Sequence, residues 1–231
     1  MTDIILEKIE KSYGTKTILK DYQLEVKQGE FLCISGASGS GKTTLLNIIG
    51  LMERPDSGKV VIKGIENPKI TEKKGRELLR KDLFFIFQNY GLVEEKTVQY
   101  NLEVSMRFSK KKKEDMADAL EQVGLSPEIL KQKVFTLSGG EQQRVALARL
   151  YLREASIILA DEPTGSLDVG NRDRVLQILL EMNKKGKTVI VVSHDSEVEK
   201  CATRVERIHS ARFDEGKVQF NKGYAEEEEK A

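Results

Sequence analysis

The sequence predicts an α/β fold with a mainly parallel sheet, an antiparallel β-subdomain and a helical subdomain. Three observations carry that prediction. Ile157-Ile158-Leu159-Ala160 and Val189-Ile190-Val191-Val192 are continuous apolar runs, the pattern of strands buried on both faces of a parallel sheet. Between them Val175, Ile178, Leu179 and Met182 recur at helical spacing and Gly186 stops the stripe, which makes a βαβ unit. In the first third, by contrast, Tyr22, Leu24 and Val26 alternate with Gln23, Glu25 and Lys27, a strand buried on one face only.

The elements follow in chain order. Gln28-Gly29-Glu30 reads as a turn and Phe31 to Ser35 as the next strand. Thr43 to Met52 reads as a helix, because Leu45, Ile48, Ile49 and Met52 fall at i, i+3, i+4 and i+7. Val60-Val61-Ile62, between Gly58 and Gly64, is a short strand. From about Thr71 to Phe135 the period is helical and the charge density high, and Leu120, Val123 and Gly124 mark a helix end. Lys110 to Lys113 reads as a solvated loop or helix start, with contact to anionic lipid as the alternative. Glu226 to Glu229 reads as an acidic tail without fixed structure. The expected organisation is a single domain over 1–231. Residues about 1–88 and 156–220 form the core with its β-subdomain, about 89–155 the helical subdomain and about 221–231 the tail.

Lys+Arg number 38 and Asp+Glu 37, a formal net charge of +1, which argues against a nucleic-acid partner. Cys33 and Cys201 form no Cys-x-x-Cys pair, and Cys33 lies in the apolar run Phe31-Leu32-Cys33-Ile34, as a reduced core thiol would. Asp3, Glu7 and Glu10 interrupt any apolar N-terminal stretch, so no signal peptide is expected. No apolar run approaches the roughly 20 residues that span a membrane. The chain reads as cytosolic in character, with any membrane work done through a partner.

Gly36-Ala37-Ser38-Gly39-Ser40-Gly41-Lys42-Thr43 matches G-x-x-x-x-G-K-[ST] in full, after an expected strand and at the start of an expected helix. Glycines let backbone N–H groups close around phosphate oxygens, and the positive end of the helix points at the same anion. Lys42 can reach β- and γ-phosphates, and the Thr43 hydroxyl can ligate Mg²⁺, with Thr44 next in the loop. This motif in this context defines a P-loop NTPase core. A dinucleotide fingerprint fails, because Gly36-x-Ser38 breaks G-x-G-x-x-G. The strand Ile157 to Ala160 ends in Asp161 and Glu162. Asp161 is placed to hold Mg²⁺, and Glu162 is a candidate general base for water attack on the γ-phosphate.

Leu137-Ser138-Gly139-Gly140-Glu141 lies between the phosphate loop and the acidic pair. With these three motifs in this order, the chain resembles an ABC ATPase, the nucleotide-binding domain of an ABC transporter, from about Ile4 to Val218. Two glycines bare the backbone, Ser138 offers a hydroxyl and a helix begins, which makes Ser138, Gly139, Gly140 and Glu141 a second anion site. The resemblance implies that this segment binds the γ-phosphate held by a second subunit. It implies that Gln88 contacts Mg²⁺ and the attacking water, that Ser166-Leu167-Asp168 crosses the dimer interface and that His194 meets the γ-phosphate. Tyr13, 29 residues before Lys42, resembles the aromatic residue that stacks on adenine. His209 matches no motif.

The implied activity is ATP hydrolysis with Mg²⁺, by Lys42, Glu162 and His194, in a head-to-tail dimer of two copies enclosing two ATP molecules. The implied partner is a separate membrane permease, with the chain peripheral on the cytoplasmic face. Asp161-Glu162-Pro163-Thr164-Gly165-Ser166-Leu167-Asp168 and Ile86-Phe87-Gln88-Asn89-Tyr90 resemble the export branch. Ser166, where many relatives carry Asn, and Val93-Glu94, where many carry Leu-Pro, argue less for its lipoprotein-release group. A regulatory ABC protein that docks on a membrane partner without moving substrate is an alternative. A DNA-maintenance ABC ATPase is disfavoured, because only 94 residues without sustained heptads separate Thr43 from Leu137. A GTPase is disfavoured because Asn183-Lys184-Lys185-Gly186 lacks the Asp of N-K-x-D.

Overall fold

The computed structural model describes residues 1–165 and 167–208. The expected acidic tail, His209 and Ser166 lie outside the described residues. Strands β1 (Thr2–Tyr13), β2 (Lys16–Lys27), β4 (Ser57–Ile62) and β5 (Ile65–Glu66) form an antiparallel sheet in the order β2-β1-β4-β5. Strands β3 (Phe31–Gly36), β6 (Leu83–Ile86), β7 (Ile157–Asp161), β8 (Thr188–Val192) and β9 (Arg204–Ile208) form a parallel sheet ordered β6-β7-β8-β3-β9. The helices are α1 (Lys42–Ile49), α2 (Lys73–Lys81), α3 (Val98–Met106), α4 (Asp115–Gln122), α5 (Gly139–Leu152), α6 (Val169–Lys184) and α7 (Ser196–Cys201).

The parallel sheet is buried on both faces, and the period-two direction of its side chains divides the core in two. Phe31 and Cys33 of β3 face one cluster with Ile158, Ala160, Val189 and Val191, under α3–α6. Leu32 and Ile34 face the other with Leu159, Ile190 and Val192, under α1 and the antiparallel sheet. Burial pushes the Cys33 thiol up to about 12, so it is a packing residue and not a nucleophile at neutral pH. The helix expected as Thr43 to Met52 ends earlier. Gly50 caps it, Leu51 turns to φ +59 and Met52 is half exposed. Pro55 follows within a few residues, where a continuing helix would lack a donor. The helical stretch expected from Thr71 to Phe135 is interrupted by β6. Its four apolar residues are too few for periodicity to decide, and pairing with β7, Leu83 opposite Ile157 and Ile86 opposite Ala160, makes them a strand.

Because β3, β6, β7 and β8 run parallel, their C-terminal ends emerge at one edge. In open α/β sheets this is where ligands bind. Four loops leave that edge: Gly36 to Gly41, Phe87 to Asn89, Glu162 to Gly165, and Ser193 to Asp195.

Candidate active site

The phosphate loop is shaped by backbone that side chains would block. Gly36 has φ +149, and a Cβ there would collide with the Ile208 carbonyl oxygen. Gly41 N-caps α1 with φ +101, and a Cβ would stand 2.6 Å from Ile18 Cγ2. No side chain caps the first turn of α1, so its donors and dipole face the loop. Lys42 Nζ donates to the Gly36 and Ala37 carbonyls at 2.8 and 3.0 Å, which holds the ammonium across the loop. The Ser40 hydroxyl is buried and has no partner among the described residues.

Thr43 Oγ1 donates to Asp161 Oδ1 at 3.2 Å, joining α1 to the end of β7. Burial raises the Asp161 pKa, opposed by the Thr43 bond and the nearby Lys42 charge and assisted by Glu162. Thr43, Asp161, Gln88 and Asn89, with Phe85, Phe87, Asn47 and Met52, line an open cleft of about 460 Å³. Phe85 and Phe87 stack in its wall with ring centroids 4.4 Å apart.

Glu162 takes φ +46, an uncommon value for a residue with a Cβ, and its N–H donates to the Val192 carbonyl at 2.9 Å. That turn aims its carboxylate at the end of β8, where Oε1 lies 3.0 Å from His194 Nδ1. Oε2 is buried without a partner among the described residues. The bond and charge of Glu162 raise the pKa of the exposed His194 imidazole. The structure thus brings Lys42, Thr43, Asp161, Glu162, Gln88 and His194 to one edge.

Tyr13 is half exposed at the end of β1. Its hydroxyl donates to Glu53 Oε1 at 2.5 Å and lies 3.5 Å from Thr44 Oγ1, beside the phosphate-loop helix. Lys11 Nζ pairs with Glu53 at 3.1 Å and lies 5.3 Å from the Tyr13 ring centre. Glu53 carries no sequence signal for this role.

Ser138 to Glu141 stand elsewhere. Among the described residues no hydrogen bond joins Ser138–Gly140 to the phosphate loop. Ser138 N-caps α5 through a capping box: its hydroxyl accepts from the Glu141 N–H at 3.3 Å, and its own N–H donates to Glu141 Oε2 at 2.9 Å. The bonds from Ser138 lower the Glu141 pKa, and the carboxylate is engaged in the cap. Asn171 buttresses this turn. Its Nδ2 donates to Asp168 Oδ2 at 2.6 Å, its Oδ1 accepts from Arg144 at 2.5 Å, and a Cβ on Gly140 would lie 3.3 Å from Nδ2.

Two further residues tie α5 to the catalytic edge. The buried Gln143 donates to the Pro163 carbonyl next to Glu162. Arg149 donates to the Gly91 carbonyl just past Gln88 at 2.9 Å. Gln143 was detectable as a polar residue four positions before Leu147 on the apolar face of α5. Arg149 had no such signal.

A phosphate loop at the end of β3, an acidic pair at the end of β7 and a histidine at the end of β8 define a P-loop nucleoside triphosphatase. The ABC transporter family model matches residues 19–165, and the chain belongs to that family. It is an ATP-binding cassette. The lipoprotein-releasing system ATP-binding protein LolD of Aquifex aeolicus is 43% identical, over 86% of this chain and 90% of its own. The ABC transporter ATP-binding protein YvrO of Bacillus subtilis is 41% identical, covering 87% and 91%. The macrolide export ATP-binding/permease protein MacB of Bartonella quintana is 40% identical over 89% of this chain, which spans 32% of that longer protein. Among solved structures, a dimeric post-hydrolysis state of the ATP-binding cassette MJ0796 bound to ADP and Pi superposes with a TM-score of 0.82. It is 33% identical and covers 90% of this chain and 94% of that one.

Proposed function

We propose that this chain is the ATP-hydrolysing motor of an export or extraction system and works with a separate membrane permease. In this reading Gly36 to Thr44 hold the triphosphate and Tyr13 stacks on adenine. Residues 1–88 and 156–220 act as the core, and residues 89–155 as the arm that carries the signature turn. The donors at Thr43, Asp161 and Gln88 are all oxygen, which suits Mg²⁺, a cation that takes few protein ligands and several phosphate oxygens. When bound, Mg²⁺ supplies charge neutralisation at the β- and γ-phosphates. Glu162 accepts a proton from water as its oxygen bonds to the γ-phosphorus, the bond to the bridging oxygen breaks and ADP leaves with phosphate. His194 holds the Glu162 carboxylate in place and faces the γ-phosphate. Ser138, Gly139 and Gly140 of a second copy close over the same phosphate in a head-to-tail dimer. Most of the rate then comes from positioning and charge stabilisation.

The supporting observation is the Thr43–Asp161 bond beside the Glu162–His194 pair at the end of one parallel sheet. The first test is Mg²⁺-dependent ATP turnover by the purified chain, with oligomeric state measured with and without ATP. No turnover, alone or with its permease, would sink the motor reading.

Among the described residues no helix is long and apolar enough to cross a membrane. The permease is expected to dock beside Asn89 to Val93, where Val93 and, on α3, Tyr100 and Val104 expose apolar surface. Asn101 binds both backbone groups of Val93, so α3 and this loop form one surface. Tyr90→Ala with Leu92→Ala should weaken permease association in a pull-down, with nucleotide affinity of the isolated chain held within about twofold. Interface anchors of this kind commonly cost over about 1 kcal/mol each. Leu92 also packs on the helical core, so a melting curve run in parallel separates lost docking from lost stability.

A further inference from the structure

The end of α2 and the loop between α3 and α4 meet around one aromatic ring that neither the hydrolytic site nor the Asn89–Val93 surface uses. Phe108 is 51% exposed. Arg80, from the last turn of α2, sits with its guanidinium carbon 4.7 Å from the ring centre, and that of Arg107 lies at 5.9 Å. Lys110 to Lys113 follow directly and all are exposed. Lys111 and Lys113 are tethered, to Asp115 at 3.7 Å and Glu103 at 3.0 Å. Arg80, Arg107, Lys110 and Lys112 make no ion pair among the described residues. The chain as a whole carries a charge of +1, so this concentration of unpaired cations is local and not a consequence of a basic protein.

We propose that Phe108 and the cations around it form a contact for the anionic headgroup surface of a phospholipid membrane. This inference rests on the reading of the chain as a cassette that works at a membrane. Two arginines beside one exposed ring, with two unpaired and exposed lysines following it in sequence, suit a fluid charged surface. Each headgroup finds its cation independently, and no fixed spacing of carboxylates is required. The ring supplies the apolar anchor and the guanidiniums supply charge at the same depth, as in interfacial segments that combine aromatic and basic residues. A protein acid would be better met by a fork held rigid against a carboxylate. Of the four unpaired cations, only Arg80 and Arg107 have a neighbour that positions them, and it is the ring. The contact orients the cassette at the membrane independently of the permease.

The test is co-sedimentation of the full chain with phosphatidylcholine vesicles, with and without phosphatidylglycerol, at about 0.1 M ionic strength where headgroup fields still reach about 10 Å. The chain should partition more strongly onto the anionic vesicles, and added salt should release it. Combined Arg80→Gln, Arg107→Gln, Lys110→Gln and Lys112→Gln should lower anionic partitioning about fivefold per charge removed. Lys110→Arg with Lys112→Arg should retain it, and Phe108→Ser should weaken it with the charges intact. Melting temperature and ATP turnover, measured on each variant, should stay at wild-type values. Turnover measured this way also separates failure of the lipid contact from failure of the motor reading. Equal partitioning onto neutral and anionic vesicles would overturn the proposal. So would release by millimolar inorganic phosphate, which indicates a discrete phosphate site. So would a quadruple variant that keeps vesicle binding but loses the permease, or vesicle binding abolished by duplex DNA.

Discussion

Two glycine-containing turns of this molecule each lead into a helix, and their chemistry differs at the cap. Gly41 caps α1 with its backbone alone, so the first-turn donors remain open to an anion, and Lys42 lies across the loop. Ser138 caps α5 with a side chain, and Glu141 puts a carboxylate on the first turn, where it satisfies donors and offsets the positive end of the helix dipole. The first turn keeps open donors that suit an anion within one protomer. The second is satisfied internally through its capping box, and in the proposed function it would meet a phosphate that another surface has already bound. The difference teaches that a nucleotide site can be divided between two copies. In the proposed dimer, binding would fall to one half and closure to the other.

The strongest way to test this division is Glu162→Gln. Loss of the general base should cut steady-state turnover by at least about 100-fold while ATP binding persists. An ATP-bound dimer should accumulate on size-exclusion chromatography, because the signature turn remains closed on the partner's phosphate. Near-normal turnover would remove Glu162 from the reaction.

Lys42→Ala acts on the first turn alone. It should weaken ATP binding at least about tenfold, the size expected for a lost charge-assisted contact, with or without Mg²⁺. Asp161→Asn should lose mainly the Mg²⁺-dependent part of the affinity. Because burial raises the Asp161 pKa, its carboxylate in the metal-free chain should neutralise at a higher pH than an ordinary aspartate as the solution is acidified. Nucleotide titrations with and without Mg²⁺ check both variants, and equal losses in all four would contradict the separate roles.

Ser138→Ala should cost about 1 kcal/mol of stability through the lost cap. ATP affinity of the single protomer should stay unchanged, while ATP-dependent dimerisation and turnover fall. A drop in protomer affinity would mean that the signature turn serves its own chain's nucleotide.

The smallest effect concerns His194. Its pKa is raised by Glu162, so the charged pair is present at low pH and is lost as pH rises through the raised value. Replacing the carboxylate by an amide removes the cause. An NMR titration of the imidazole in the Glu162→Gln background should therefore show a lower pKa than in the wild type. An unchanged value would place the source of the shift elsewhere.

Local patterns made much of this legible from the residues alone. The buried strands β3, β7 and β8 showed as apolar runs, and the phosphate loop, Asp161-Glu162 and Ser138-Gly139-Gly140 showed as contiguous motifs, because each depends on neighbours in sequence. The end of α1 and strand β6 were not legible. A capping glycine stops α1 where an apolar stripe continues to Met52, and the short run Leu83–Ile86 becomes a strand only by pairing with residues more than seventy positions away. The same limit hid Glu53, Arg149 and Asn171, whose partners are distant in sequence.

The sequence by itself determined the fold class, the identity of the phosphate-binding loop and the residue types available for hydrolysis. Backbone hydrogen bonding and apolar burial repeat over a few residues, so they leave a periodic record. Tertiary structure alone decided which groups meet. It set Thr43 against Asp161, turned Glu162 through a positive φ toward His194 and left Ser138 without a hydrogen bond to the phosphate loop of its own chain. Those contacts follow from the order of strands in a parallel sheet, which brings distant loops to one edge, and no local spacing encodes that order.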